Sequence, residues 1–210
     1  EKDSEYYTLN YEDRTVTVNY DKMKTNNNAN TDAWFHVEKK LMITASSNIE
    51  DHRIVLIRPL AQINVGTKDF DTAVHAGVTV TESAVKIKGA ARTLDLFTGN
   101  GLDPIDTEVE LSRSPIPYSD NKMMLTVNLK YDENGNYIRD ENGNIETDEY
   151  EYMSICYILP YATQSTQEGY PRYTSLVEVE VKFFEDGNEA QINEIIRKSS
   201  VPVCRNHRTN

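Results

Sequence analysis

Apolar and polar residues alternate with a period of two along much of this chain, the spacing of strands that lay one face on a core. In Arg14–Tyr20, Val16, Val18 and Tyr20 fall on one side and Thr15, Thr17 and Asn19 on the other. Met123, Leu125, Val127 and Leu129 predict a second inward face, and Met153, Ile155, Tyr157, Leu159 and Tyr161 a third. Val177, Val179, Val181 and Phe183 predict a fourth, with Glu178, Glu180 and Lys182 on a wet face, as antiparallel sheets allow. Shorter strands are expected at Arg92–Phe97 and around Val109 and Leu111, and β-prone runs at Trp34–Val37 and Leu41–Ile43. Val78 and Val80 have the opposite parity to Val85 and Ile87, so a bulge near Glu82–Ser83 is needed to keep both pairs inward.

The stretch Ile54–Thr67 carries the longest alternation. Its odd positions, Val55, Ile57, Pro59, Ala61, Ile63 and Val65, are all apolar, and its even ones turn polar at Arg58, Gln62 and Asn64. Pro59 cannot donate to a ladder, which predicts two strand pieces meeting at Arg58–Pro59, the second ending at Gly66–Thr67. Thr25–Asp32 reads as a polar loop, Ser46–Asp51 as a turn, and Lys68–Gly77 as a short helix or a linker. Ser114-Pro115-Ile116-Pro117 forces an extended segment. One helix is expected, Ala190–Lys198, where Ile192, Ile195 and Ile196 sit at i, i+3 and i+4. About ten strands separated by turn signals, with no βαβ alternation, give an all-β sandwich class.

Asp132-Glu133-Asn134-Gly135-Asn136 recurs as Asp140-Glu141-Asn142-Gly143-Asn144. Two copies are too few for a solenoid, and Asn-Gly is the signal of a type I′ turn, so residues 132–145 read as an exposed acidic hairpin insertion. Asp132, Asn134 and Asn136 space like the first ligands of a calcium loop, but Tyr137 and Ile138 stand where that loop continues with Gly and further ligands. The metal reading is the minor one.

Composition narrows the partners more than the chemistry. The 210 residues suffice for one domain or two small ones with a sizeable core. With 34 Asp and Glu against 22 Lys and Arg the net charge is -12, which argues against nucleic acid and anionic membrane. Cys156 and Cys204 make no disulfide framework, and Cys156, inside an apolar run, reads as a small buried hydrophobe. No apolar run approaches the roughly 18 residues that span a membrane. His36, His52, His75 and His207 have no i, i+4 partner, and CxxC, GxSxG and GxxxxGK[ST] are missing from the sequence. Gly99-Asn100-Gly101 opens like a dinucleotide fingerprint, yet Pro104 falls where the last Gly belongs. No catalytic, cofactor-binding or metal-ligating residue can be nominated. The thirteen tyrosines suit sheet packing first and a carbohydrate-stacking surface second.

Four motifs carry a resemblance. Arg58-Pro59-Leu60-Ala61-Gln62-Ile63-Asn64-Val65-Gly66-Thr67 resembles the "RPxAQxNVGT" signature of fimbrillin-like proteins of Bacteroides-type bacteria. Asp32-Ala33-Trp34-Phe35 is similar to their "DAFF" element, Tyr157-Ile158-Leu159-Pro160 to their "YLLxP" strand, and Val201–Asn210 to their closing "VPVxRNxRTN". Cys204 stands at a position that is commonly basic in that family. The resemblance implies a type V pilus subunit or fimbrial adhesin: exported as a lipoprotein precursor to the cell surface and outer membrane, with two transthyretin-like Greek-key β-sandwich domains. It also implies assembly with other pilin subunits by donor-strand exchange, the main-chain physics of β-augmentation.

On that basis residues 1–70 are expected to form the C-terminal part of an N-terminal sandwich, incomplete in this chain, and residues 71–210 a C-terminal sandwich. The family continues beyond the counterpart of Asn210 with an apolar "IxGxLLT" strand. Val201, Val203, Arg205, Asn206 and Arg208 are therefore the candidate polymerisation region, and the bland alternative makes them the last strand of the C-terminal sheet. Host or bacterial surface ligands are possible partners. Two other readings stand: a surface-anchored glycan-binding module using tyrosines or Trp34 as stacking surface, and a secreted hydrolase with an unrecognised carboxylate pair.

Overall fold

The computed structural model describes residues 4–38, 54–104, 108–119, 122–123, 125–161, 174–185, 188–189 and 195–210. The expected run Leu41–Ile43 and turn Ser46–Asp51 lie outside them. In chain order the strands are β1 (Tyr7–Asn10), β2 (Thr15–Val18), β3 (Ala61–Thr67), β4 (Glu82–Lys88), β5 (Ala91–Asp95), β6 (Gly101–Pro104), β7 (Val109–Pro115), β8 (Tyr118–Ser119) and β9 (Lys122–Met123). They continue with β10 (Leu125–Leu129), β11 (Thr147–Ile158), β12 (Thr174–Glu185), β13 (Asn188–Glu189), β14 (Ile196–Cys204) and β15 (Arg208–Thr209). Two short helices, α1 (Tyr20–Met23) and α2 (Phe70–His75), and one 3-10 turn (Ala29–Thr31) interrupt them.

The all-β class holds. Two larger sheets lie face to face: β10-β11-β3-β15, and β7-β4-β12 with both β13 and β14 on the far side of β12. Their shared core is built from Ala61 and Ile63 of β3, Val85 and Ile87 of β4, Cys156 and Ile158 of β11, and Val177, Val179 and Val181 of β12. A third sheet, β1-β2-β5-β6, joins this core through Val18, Ala91 and Leu94. The described residues on either side of residue 70 are joined by strand pairing and by a common core. β3 is bonded to β11 along Ala61–Thr67, β2 to β5, and one apolar cluster contains residues from both sides of the line. Long-range strand pairing, which local alternation does not encode, joins the two halves.

Several expectations are met closely. β2, β5, β7, β10, β11 and β12 fall on the alternating runs, and α2 occupies Lys68–Gly77. The bulge needed near Glu82–Ser83 appears as a register shift of β4 against β7 between Ser83 and Val85. Cys156 is a buried free thiol.

Others are corrected. Of the two strand pieces around Pro59, only the second is a strand. Ile54, Val55 and Leu56 are each more than half exposed, and the first piece reduces to one bridge, Phe35 with Ile57. The helix expected over 190–198 is replaced, where it is described, by β14. Ile196 pairs with Val181 and Lys198 with Val179, so cross-strand pairing prevails over a helical spacing that rested on three β-branched isoleucines. In β11 Met153, on the odd face, packs on Val80 and Ile116. A bulge between Tyr152 and Ser154 then inserts a residue, and Ser154, Cys156 and Ile158 take the core positions.

The two acidic turns are not type I′. Gly135 and Gly143 have φ of 81° and 83°, while no positive φ is found at Asn134 or Asn142. Gly135 N–H donates to Asp132 O (3.0 Å) and Asp132 N–H to Asn136 O (2.9 Å), the three-residue hairpin with a left-handed Gly bulge. The second copy repeats it, and the two close into a ring of backbone bonds: Ile138 N–H to Lys130 O, Glu146 N–H to Ile138 O, and Lys130 N–H to Glu146 O.

Candidate functional site

The C-terminal segment ties the two large sheets together. Val201 and Val203 lie in β14, opposite Val177 and Ser175 of β12, and Val203 is fully buried in the shared core. The chain then turns at Asn206, whose φ of 60° is a left-handed conformation that asparagine tolerates. Asn206 N–H donates to Leu60 O (2.9 Å), and its Oδ1 accepts from Arg58 N–H (3.4 Å). Arg205 Nη1 donates to Gly99 O (2.7 Å) and Thr98 O (3.3 Å), clasping the β5–β6 turn. Gln62 N–H donates to His207 O, and β15 runs parallel to β3, with Arg208 opposite Gln62 and Thr209 opposite Ile63. Val201 and Val203 thus lie in one sheet and Arg208 in the other, with Arg205 and Asn206 in the turn between them.

β15 is two residues long and β3 seven, so the pairing stops at Ile63. Among the described residues no other strand continues along that edge of β3. Behind the edge the even residues Gln62 and Asn64 of β3, expected to be half exposed, are buried. Gln62 Nε2 donates to Asn64 Oδ1 (2.8 Å), and Asn64 Nδ2 reaches Asn210 Oδ1 (2.5 Å) and Tyr152 Oη (3.4 Å). Arg208 Nη1 donates to the same Tyr152 oxygen (3.1 Å). Buried amides and a phenol therefore fix the side chains of Arg208 and Asn210.

Above this network opens a groove of about 540 Å³ lined by Arg58, Leu129, Tyr131, Asn206, His207, Arg208 and Asn210. Tyr131 stacks on Tyr137 with ring centroids 5.1 Å apart, and both are about half exposed. On the other side, Arg58 holds Asp32 by two-pronged contacts: Nε to both carboxylate oxygens (2.7 and 2.8 Å) and Nη2 to Oδ2 (2.7 Å). Its guanidinium lies over the rings of Trp34 (4.6 Å) and Tyr157 (5.8 Å). The bond to Asp32 raises the Arg58 pKa further, so this cation is permanent. The resemblance motifs containing Asp32 and Arg58 therefore meet in space as an ion pair between an aromatic pair.

Among the described residues no group of three or more His, Cys, Asp or Glu side chains could hold a metal ion. Asp132 Oδ1 accepts from the N–H groups of Asn134 and Asn136, and Oδ2 from Asn136 Nδ2, so its carboxylate is occupied within its own turn. Asp140 repeats the arrangement. Those bonds hold both carboxyls below their ordinary pKa. His36, His75 and His207 face the carbonyls of Val55, Asp71 and Arg205, and His52 lies outside the described residues. Burial pushes the Cys156 thiol up to about 12, the opposite of an activated nucleophile.

Sequence reasoning missed Gln62, Asn64, Tyr152 and Asn210 as a network. The signal was there in part, since polar residues at even positions of an otherwise apolar strand demand partners, but those partners come from β11 and the chain's last residue. No curated protein and no solved structure matches this chain. A family model covers all of residues 1–210, and the chain accordingly belongs to the family of unknown function DUF6562.

Proposed function

We propose that this chain is a non-enzymatic cell-surface subunit of a type V pilus, or a fimbrial adhesin, that joins other pilin subunits by donor-strand exchange. The observation that carries the reading is the edge of β3: seven residues long, hydrogen-bonded to β15 over two, and lying within the motif most like the fimbrillin signature. An added strand would satisfy the remaining edge groups of β3 and find its register from the pleat. The clasp of Arg205 and Asn206 supports the same reading, because it sets the direction in which the chain leaves along β3. On this reading the all-β architecture is that of two transthyretin-like Greek-key sandwiches, residues 1–70 contributing to the first and residues 71–210 forming the second. The chain reaches the outer membrane as a lipoprotein precursor.

Treating the full-length protein with a trypsin-like protease is expected to yield ladders on non-boiled SDS gels. Truncation of the C-terminal strand is expected to abolish them. A treated protein that stays monomeric in every condition would remove polymerisation from the reading.

A further inference from the structure

Asn-Gly occurs three times in the chain, at Asn100-Gly101, Asn134-Gly135 and Asn142-Gly143, and the fold holds the three differently. We propose that Asn134 and Asn142 are sites of spontaneous deamidation in the folded protein, and that Asn100 is kept intact by its packing. The reaction consumes only water. The backbone nitrogen of the following glycine gives up its proton to solvent and bonds to the asparagine Cγ; the Cγ–Nδ2 bond breaks and that nitrogen leaves as ammonia. Water then opens the five-membered imide at either carbonyl, leaving aspartate or isoaspartate with no change of oxidation state. Asparagine counts among the thermolabile residues. A following glycine favours the attack, because without a Cβ its nitrogen is unobstructed and its backbone turns freely.

At the two acidic turns that motion is opposed by a few exposed bonds within the turn. Asn134, Gly135, Asn142 and Gly143 are all exposed, and a Cβ built on either glycine would meet nothing within 4 Å. Gly135 N–H is held by Asp132 O (3.0 Å) and Gly143 N–H by Asp140 O (3.0 Å), so each turn opens by breaking its own short-range bonds, without parting a sheet or a core. Asn136 and Asn144 share the exposure, but Tyr137 and Ile145 follow them, and a side chain there crowds the attacking nitrogen. Asn100 is placed in the opposite way. Gly101 runs in β6 opposite Leu94 and lies so close to Pro160 O and Ala91 Cβ that no Cβ would fit. The Asn100 main-chain carbonyl accepts from Asp95 N–H (2.9 Å), and its Oδ1 is buried away from water. Swinging Gly101 N onto Asn100 Cγ means parting β6 from β5.

Each event places one more carboxylate on a chain of net charge -12. The isoaspartate product also lengthens the main chain by one carbon, which the left-handed glycine bulge does not accommodate. The closing bond of the turn, Asp132 N–H to Asn136 O or Asp140 N–H to Asn144 O, is therefore expected to open. The hairpin insertion thus carries a slow, irreversible clock that runs independently of pilus assembly.

The test is peptide mass spectrometry of the full-length chain, incubated at body temperature and mildly alkaline pH, once folded and once in guanidinium. In the folded chain Asn134 and Asn142 are expected to convert at least about tenfold faster than Asn100. In guanidinium the three rates are expected to converge. Asn142→Gln is expected to remove the signal at its own site and leave that at Asn134. Unconverted Asn134 and Asn142 in the folded chain, a folded Asn100 that converts as fast as they do, or an Asn100 that stays as slow in guanidinium would each overturn the proposal.

Discussion

Asn26 lies in a loop that looks wholly polar in sequence, yet it is 2% exposed and stands where two β-bulges face each other. Its Nδ2 donates to Ser83 Oγ (2.8 Å), beside the β4 bulge, and to Ser154 Oγ (2.9 Å), beside the β11 bulge. Its Oδ1 accepts from Ser114 Oγ (2.8 Å). Each bulge interrupts a ladder, and one amide at the centre of three serines satisfies what the interruptions expose. Asn27 extends the stitch, its N–H donating to Ile155 O (2.7 Å) and its Oδ1 accepting from Ile155 N–H (2.7 Å). Asn26→Ala removes the amide's bonds to Ser83, Ser114 and the buried Ser154, while Ser83 keeps a bond to Asn27 Nδ2 and Ser114 one to the Asn26 carbonyl; it is expected to cost about 1–3 kcal/mol, read as a lowered midpoint in urea unfolding with an unchanged slope. An unchanged midpoint would mean that water replaces the amide without loss.

Among the elements, β6 shows how closely strands approach across sheets. A Cβ on Gly101 would stand 2.1 Å from Pro160 O and 2.8 Å from Ala91 Cβ, so the strand can pass Pro160 only as glycine. Gly101→Ala should therefore cost about 2–3 kcal/mol by overpacking. Gly135, at φ +81° with nothing within 4 Å, should cost about 1 kcal/mol on the same substitution, because backbone strain alone opposes it. Thermal unfolding of the two variants side by side checks the order, and equal losses would show that the β6 contact relaxes freely. β14 makes a related point about strand choice. Ile195, just before it, and Ile196, its first residue, fit a helical stripe, yet its place in the sheet is set by Val181 and Val177 of β12.

At the scale of the molecule, stability is coupled to pH through groups that the shared core buries. Tyr20 donates to Ala91 O (3.0 Å) and accepts from Leu159 N–H (3.0 Å), joining the third sheet to the first. Burial raises its pKa and, at the centre of the core, raises that of Cys156 from the ordinary 9.0 to about 12. The folded chain keeps protons that the unfolded chain gives up, so the contribution is whole below pH 9 and is lost as pH rises through the window from 9.0 to about 12. Urea midpoints measured from pH 8 to 11 should fall with pH, and Cys156→Ala should flatten part of the slope. A slope that is identical in the variant would assign it to groups other than Cys156.

The sequence by itself determined the strand class and most strand positions, because side chains on a pleat alternate sides and the chain writes that period directly. It determined that β4 must bulge, since the parity of Val78 and Val80 conflicts with that of Val85 and Ile87, and it determined Cys156 as a core residue. It also marked Arg58 and Asp32 as members of motifs, without showing that they touch. Only the tertiary structure decided that β3 pairs with β11 and β2 with β5 across residue 70, that β14 is a strand, and that Asn26 is buried. It alone joined Asn64, Tyr152, Arg208 and Asn210 beneath one groove. The physical reason is the same in each case. Alternation reports which side of a strand is apolar, whereas the partner of a strand, and of a buried polar group, is chosen by contacts between residues far apart in the chain.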